Sequence, residues 1–170
     1  MSSDRELAPE AALRARAALE SVMDPEVPVL SIVELGIVRD VAVEGAAVTV
    51  TVTPTYSGCP AMRTIEEGIV VALERAGFAK VLIKTVYAPA WTTDWIEAPA
   101  REKLRAYGIA PPERTEAGPL VQLAPLVRRV PCPFCGSSDT SLESEFGATA
   151  CKSLHTCHAC RQPFEHFKGF

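Results

Sequence analysis

LGIVRDVAVEGAAVTVTVTPTYSGCPAM, residues 35–62, alternates apolar and polar side chains twice and then changes period. Two runs, 35–44 and 47–54, meet around Glu44-Gly45. In the second, Val48, Val50 and Val52 fall on one face and Thr49, Thr51 and Thr53 on the other. Such two-residue patterning on both sides of a glycine predicts a β-hairpin. From Pro60 the spacing becomes three and four: Met62, Ile65, Ile69, Ala72 and Ala76 make one stripe, so a helix is expected over 60–76 with Gly77 ending it. Strand, strand, helix is therefore the nucleus of the fold.

Upstream, residues 9–23 read as a helix. Pro9 suits its first turn, and Ala12, Ala15, Leu19, Val22 and Met23 share one face. DPEVP at 24–28 stops it, because residues before proline disfavour helical backbone. Downstream, KVLIKTVYAP (80–89) is a third strand. WTTDWIEAPAREKLRAYG (91–108) is a broken third helix that Pro99 restarts and Gly108 ends. The order helix-strand-strand-helix-strand-helix predicts an α+β sandwich over residues 1–110. Residues 111–130 are rich in proline and carry little periodicity, which reads as a linker. Residues 131–170 form a separate C-terminal module holding five of the six cysteines and all three histidines.

The chain has 170 residues, 48% hydrophobic and 22% charged, enough to build a core. Its first twenty residues lack the apolar run of a secretory signal, and no apolar run is long enough to span a bilayer. A cytoplasmic location is expected, where cysteines serve metals or thiol chemistry rather than disulfides. The formal net charge is −4. From Pro131 onward, three basic residues stand against four acidic ones, so there is no basic face to grip a nucleic acid.

CPFC at 132–135 and CHAC at 157–160 are two C-x2-C pairs separated by twenty-one residues. One tight turn aims two sulfurs at a common point, and two such turns complete a tetrahedral site. Cys132, Cys135, Cys157 and Cys160 are thus the expected ligands of a zinc ribbon, with Gly136 supplying permissive backbone at the first turn. Iron would accept the same ligands, and a redox-active CPFC would need a thioredoxin-like context that is not visible. TSLESEF (140–146) and ACKSLHTC (150–157) are the expected ribbon strands. A module this small cannot bury enough apolar surface by itself, so a metal supplies much of its folding energy. His155, His158 and His166 are expected on the ribbon surface. Cys151 is expected close to the metal without being one of its ligands, or as a small buried residue.

Cys59, between Gly58 and Pro60, is the lone thiol of the first module. At the N-cap of a helix, unpaired N–H groups and the helix dipole lower a thiol pKa. Histidine is absent from the first 150 residues, which argues against a cysteine hydrolase. Asp24 and Glu26 are candidate acidic neighbours, and carboxylates raise a thiol pKa. Trp91, Trp95 and the segment Leu120 to Val127 read either as a docking surface or, for the tryptophans, as core.

DPEVPVLSIVELGIVRDV, TYSGCPAM and PAW (89–91), in this order across residues 10–110, resemble the iron–sulfur assembly factor domain of the SufT-like family. With the cysteine-rich tail attached, the whole chain resembles the accessory subunits associated with phenylacetyl-CoA epoxidase. The resemblance implies aerobic phenylacetate degradation, with epoxidase oxygenase and reductase components as partners. It implies a maturation role and no catalysis by this chain. The absence of an E-x-x-H motif and of a G-x-G-x-x-G fingerprint agrees with that. Cys59 then holds iron or a transient iron–sulfur cluster. It does so shared across a homodimer, aided by Cys151 or by Asp24 and Glu26, or else it only docks. The alternatives are a thiol oxidoreductase using Cys59 and a zinc-ribbon adaptor that only scaffolds.

Overall fold

The computed structural model describes residues 3–113 and 129–169, with side chains described from residue 10 onward; Leu120 to Val127 lie outside these. The chain divides into two compact units, Met1–Trp91 and Thr92–Phe170.

The first unit runs α1 (Ser3–Leu19), β1 (Val38–Glu44), β2 (Ala47–Val52), α2 (Ala61–Arg75) and β3 (Lys80–Thr85). The expected hairpin is present: β1 and β2 are antiparallel, and Gly45 turns between them at φ 59°. Strand β3 returns parallel to β2 after α2, so β2-α2-β3 is a crossover unit and the sheet order is β1-β2-β3. Val48, Val50 and Val52 are fully buried, and α2 buries Ala61, Ile65, Ile69 and Leu73. At about 1.5–3 kcal/mol per buried aliphatic side chain, these rows carry much of the unit's stability.

Several boundaries differ from the sequence reading. Helix α1 opens at Ser3, ahead of Pro9, and closes at Leu19. Met23 is exposed and bridges to Ser31 instead of joining the helical stripe. The buried face of α2 keeps Ile65 and Ile69 but follows a strict four-residue spacing, so Ala61 and Leu73 are buried where Met62 and Ala72 were expected. Thr53 lies past the end of β2 and is buried, because the strand stops alternating there. Between α1 and β1, Ser31 and Glu34 form a reciprocal cap. The Ser31 N–H donates to Glu34 Oε2 (3.0 Å) and the Glu34 N–H to Ser31 Oγ (3.2 Å). Trp91 is core: it is 5% exposed and its Nε1–H donates to the Leu35 carbonyl at 2.9 Å, which rules it out as a docking residue. Trp95 is half-buried.

The second unit begins with a short 3-10 turn (Thr93–Trp95), then α3 (Ala98–Tyr107), β4 (Ile109–Ala110), β5 (Thr140–Ser144), β6 (Lys152–Cys157) and β7 (Pro163–Phe167). The break in the third helix falls where Pro99 predicts it, and Gly108 caps α3 at φ 92°. The positive φ favours glycine there, and a Cβ would lie 2.9 Å from Cζ at the tip of the exposed Phe134 ring, which would have to shift. The second sheet has the order β4-β7-β6-β5. Strands β5 and β6 are the expected ribbon pair. The sequence reading missed β7, and it missed β4, whose two residues pair in parallel with Glu165 and His166.

Candidate metal centre and thiol site

The two C-x2-C turns of the second unit have matching backbones. The Gly136 N–H donates to the Cys132 carbonyl, and the Cys132 N–H to the Ser137 carbonyl. At the other turn the Cys157 N–H donates to the Gln162 carbonyl. The residue after each pair is left-handed: Gly136 at φ 73° and Arg161 at φ 60°. Arg161 is the one described residue other than glycine with positive φ, so the second turn accepts strain that the first avoids. Both turns open onto a small core of Ala110, Val130, Cys132, Cys157 and Phe164.

The four sulfurs all lie within 4.8 Å of one another. Cys132 to Cys160 is 3.7 Å and Cys135 to Cys157 is 3.6 Å, with no disulfide between them. Zinc–sulfur bonds of about 2.3 Å at tetrahedral angles place sulfurs about 3.8 Å apart, so these distances fit one metal ion. Among the described residues this is the single group of three or more Cys, His, Asp or Glu side chains close enough to share an ion. The thiols are mutually inequivalent. The Cys160 N–H, ahead of other hydrogen bonds, brings Cys157 down to about 7. Cys160 has the Gln162 amide favouring its thiolate, yet burial and the three other sulfurs push it up to about 12. A divalent cation at the centre removes that repulsion by taking all four as thiolates.

The remaining tail candidates lie off the metal centre. Cys151 is buried, its sulfur 3.1 Å from Thr149 Oγ1, outside the four-sulfur group. His158 is exposed, as expected. His155 and His166 are not simple surface residues. His155 is buried and stacks on Phe164 with ring centroids 5.5 Å apart, and His166 meets it edge-on at 5.6 Å. Ser153 Oγ lies between them, 3.0 Å from His155 Nε2 and 3.4 Å from His166 Nδ1. Alternation along β6 and β7 puts all three on one sheet face, a consequence invisible while β7 was unread. Burial, with His155 adding to it, lowers His166 to about 4.

In the first unit, Cys59 stands one residue ahead of the expected cap. Pro60 is the N-cap of α2, in helical backbone, and Cys59 sits in the turn before it. The Cys59 N–H donates to the Tyr56 carbonyl and the Cys59 carbonyl accepts from Met62, both at 3.3 Å; Gly58 turns at φ 80°. The thiol is half-buried. Burial pushes its pKa up, and Glu26 and Asp24 add to that, outweighing hydrogen bonds from the Ala61 amide and Tyr56. The expected lowering by the helix start is therefore reversed, because desolvation and two carboxylates win. The structure does bring Asp24 and Glu26 into the electrostatic surroundings of Cys59. Asp24 also closes the turn after α1, where its Oδ1 accepts from the Glu26 and Val27 N–H groups, both at 2.8 Å. No described helix is long and apolar enough to cross a membrane.

Comparison with known proteins places these two sites in one family. A profile described as "PaaD zinc beta ribbon domain" matches residues 117–168, and one described as "Iron-sulfur cluster assembly protein" matches residues 14–81. A candidate 1,2-phenylacetyl-CoA epoxidase subunit from Escherichia coli (strain K12) is 47% identical over 152 residues, 89% of each chain. The chain belongs to the PaaD family. This PaaD chain joins a domain of the iron–sulfur assembly type to a zinc ribbon with a four-cysteine metal site. The assembly-type part is also 36% identical over 89 residues to an "Fe-S protein maturation auxiliary factor" of Porphyromonas gingivalis, covering 51% of this chain and 83% of that one. A DUF59 domain from Bacillus anthracis shares its fold, with a TM-score of 0.55 at 26% identity, covering 59% of this PaaD chain and 96% of the other.

Proposed function

We propose that the chain is a non-catalytic accessory factor for phenylacetyl-CoA epoxidase that helps load iron or an iron–sulfur cluster into a partner component, most directly the reductase. The observation that carries this reading is the match to an epoxidase subunit over 89% of the chain, combined with an assembly-type domain that holds one lone thiol. Cys132, Cys135, Cys157 and Cys160 hold a structural zinc. When bound, that ion supplies the crosslink that closes the small ribbon core.

Cys59 is the contact for the cargo. Desolvation and the charges of Glu26 and Asp24 keep its thiol protonated in the resting protein, so it is a poor nucleophile until a cation approaches. An arriving iron centre reverses the balance: the carboxylates then attract it, and the thiol gives up its proton to bind. The thiol oxidoreductase reading wants the opposite, a depressed pKa and a resolving cysteine, and the first unit has one cysteine. The epoxidase oxygenase and reductase are the expected partners, in the cytoplasm.

The test is Cys59→Ser in cells growing on phenylacetate, with iron and sulfide measured in the purified reductase. Expected is an under-loaded reductase and slow growth, while the variant keeps its fold and its zinc. Equal cluster content and equal growth would reject transfer through Cys59 and leave the scaffolding role.

A further inference from the structure

The three-stranded sheet of the first unit has two unlike faces. Register puts Val41, Val50 and Ile83 in one row and Val43, Val48 and Val81 in another. This face holds the fully buried Val48 and Val50, and α1 and α2 lie against it through β1 and β3. The opposite face consists of three rows: Asp40–Thr51–Lys84, Ala42–Thr49–Leu82 and Glu44–Ala47–Lys80. Its six outer residues are all exposed, Leu82 at 47%. The acids of these rows are on β1 and the lysines on β3, with Arg39 exposed at the β1 bulge ahead of Asp40, and the middle row is apolar at both ends.

We propose that this face is the contact between two copies of the chain, related by a two-fold axis parallel to β2. That axis exchanges β1 with β3 and keeps each row at its own height. Asp40 then faces Lys84 of the second copy, Glu44 faces its Lys80, and Ala42 faces its Leu82. Thr51, Thr49 and Ala47 lie on the axis and meet themselves, and their small size lets the sheets approach. A two-fold axis across the strands would instead set acids on acids and lysines on lysines. The row charges of Asp40, Glu44, Lys80 and Lys84 favour the first arrangement over the second.

The face is small. At about 4.8 Å between strands and about 3.3 Å per residue it spans roughly 15 by 20 Å. That falls below the ~800 Å² per partner of a standard interface, so the dimer is weak and dependent on concentration and salt. The arrangement also bears on the cargo thiols. Helix α2 lies on the far side of each sheet, so the two Cys59 turns are kept apart by two sheets packed about 10 Å from each other. Each Cys59 works alone, and no cluster is shared between them.

Sedimentation equilibrium of the zinc-loaded full chain tests this, at low and high salt and over a wide concentration range. Wild type is expected to dimerise at low salt and to dissociate at high salt. The Lys80→Glu/Lys84→Glu variant and the Asp40→Lys/Glu44→Lys variant should each be monomeric alone. An equimolar mixture of the two should associate, and a chain carrying all four changes should regain the homodimer. All four positions are exposed, and circular dichroism with zinc content checks that the variants fold. Wild type monomeric throughout, a dimer indifferent to either reversal, or a mixture that stays monomeric overturns the proposal. Wild type monomeric with Leu82→Glu losing an epoxidase component on co-purification also overturns it, and assigns the face to that component.

Discussion

Acidification should loosen the ribbon through His166 before it strips the metal. Burial and the neighbouring His155 hold His166 at about 4, against an ordinary value of about 6.5. A basic group whose folded pKa is depressed favours the folded state fully above pH 6.5. That contribution is lost as pH falls from 6.5 toward 4, because the unfolded chain takes up the proton and the folded chain refuses it. The full shift is worth about 3 kcal/mol, and by pH 5 about 2 kcal/mol of it has gone. The groups facing the imidazole are Ser153 and His155. Glu143 and Glu145 act on His155, raising its affinity for a proton against the larger effect of burial. Residue-resolved hydrogen exchange of the β6 and β7 amides, corrected for intrinsic rates, reads the effect as about 30-fold weaker protection at pH 5 than at pH 7.5. Zinc content measured on the same samples separates this from acid loss of the ion. His166→Gln, which keeps a side chain able to meet Ser153, should flatten the profile. If His166→Gln falls with pH as wild type does while zinc is retained in both, the histidine is not responsible and the reasoning fails.

Cys132→Ala/Cys135→Ala should lose its one zinc and melt the ribbon strands while the first unit keeps its helices. One zinc still present by elemental analysis would contradict the four-sulfur site. Gly108→Ala forces a left-handed alanine and a Cβ 2.9 Å from Phe134, so a loss of about 1–3 kcal/mol is expected in the unfolding of the second unit; an unchanged midpoint would show the contact to be slack. Glu26→Gln removes a carboxylate that raises Cys59, so alkylation of Cys59 at pH 8, followed by mass spectrometry, should quicken severalfold. A slower or unchanged rate would mean burial alone sets that thiol.

Legibility in the sequence followed the range of the interaction. Hairpin β1-β2 and the glycine stop of α3 rest on neighbours a few residues apart and appear where local pattern puts them, and α2 starts within one residue of its expected place. The four-cysteine spacing was equally legible, since each turn closes within its own C-x2-C. What failed depended on distance. Strand β4 is two residues long and exists only because β7 lies beside it. His155 looked like surface until Phe164, nine residues on, stacked against it. The Cys59 thiol was judged by its own helix, whereas its pKa is set by burial and by carboxylates more than thirty residues upstream. Arg161 in left-handed backbone had no signal in its residue type.

The pairing of β4 with β7 makes the second unit a closed loop in which residues from both sides of the 114–128 segment share one sheet. Gly108 meets Phe134 across the same gap, and Ala110 joins Val130 and Phe164 in the core. Among the described residues, the two sides are held to each other by the β4–β7 pairing, by Gly108 against Phe134 and by the shared core. Two fragments divided within that segment, residues 1–113 with their β4 edge and the ribbon with its four cysteines, would have to find each other through β4, β7 and those contacts, so their reconstitution around the metal is a direct assay of that pairing.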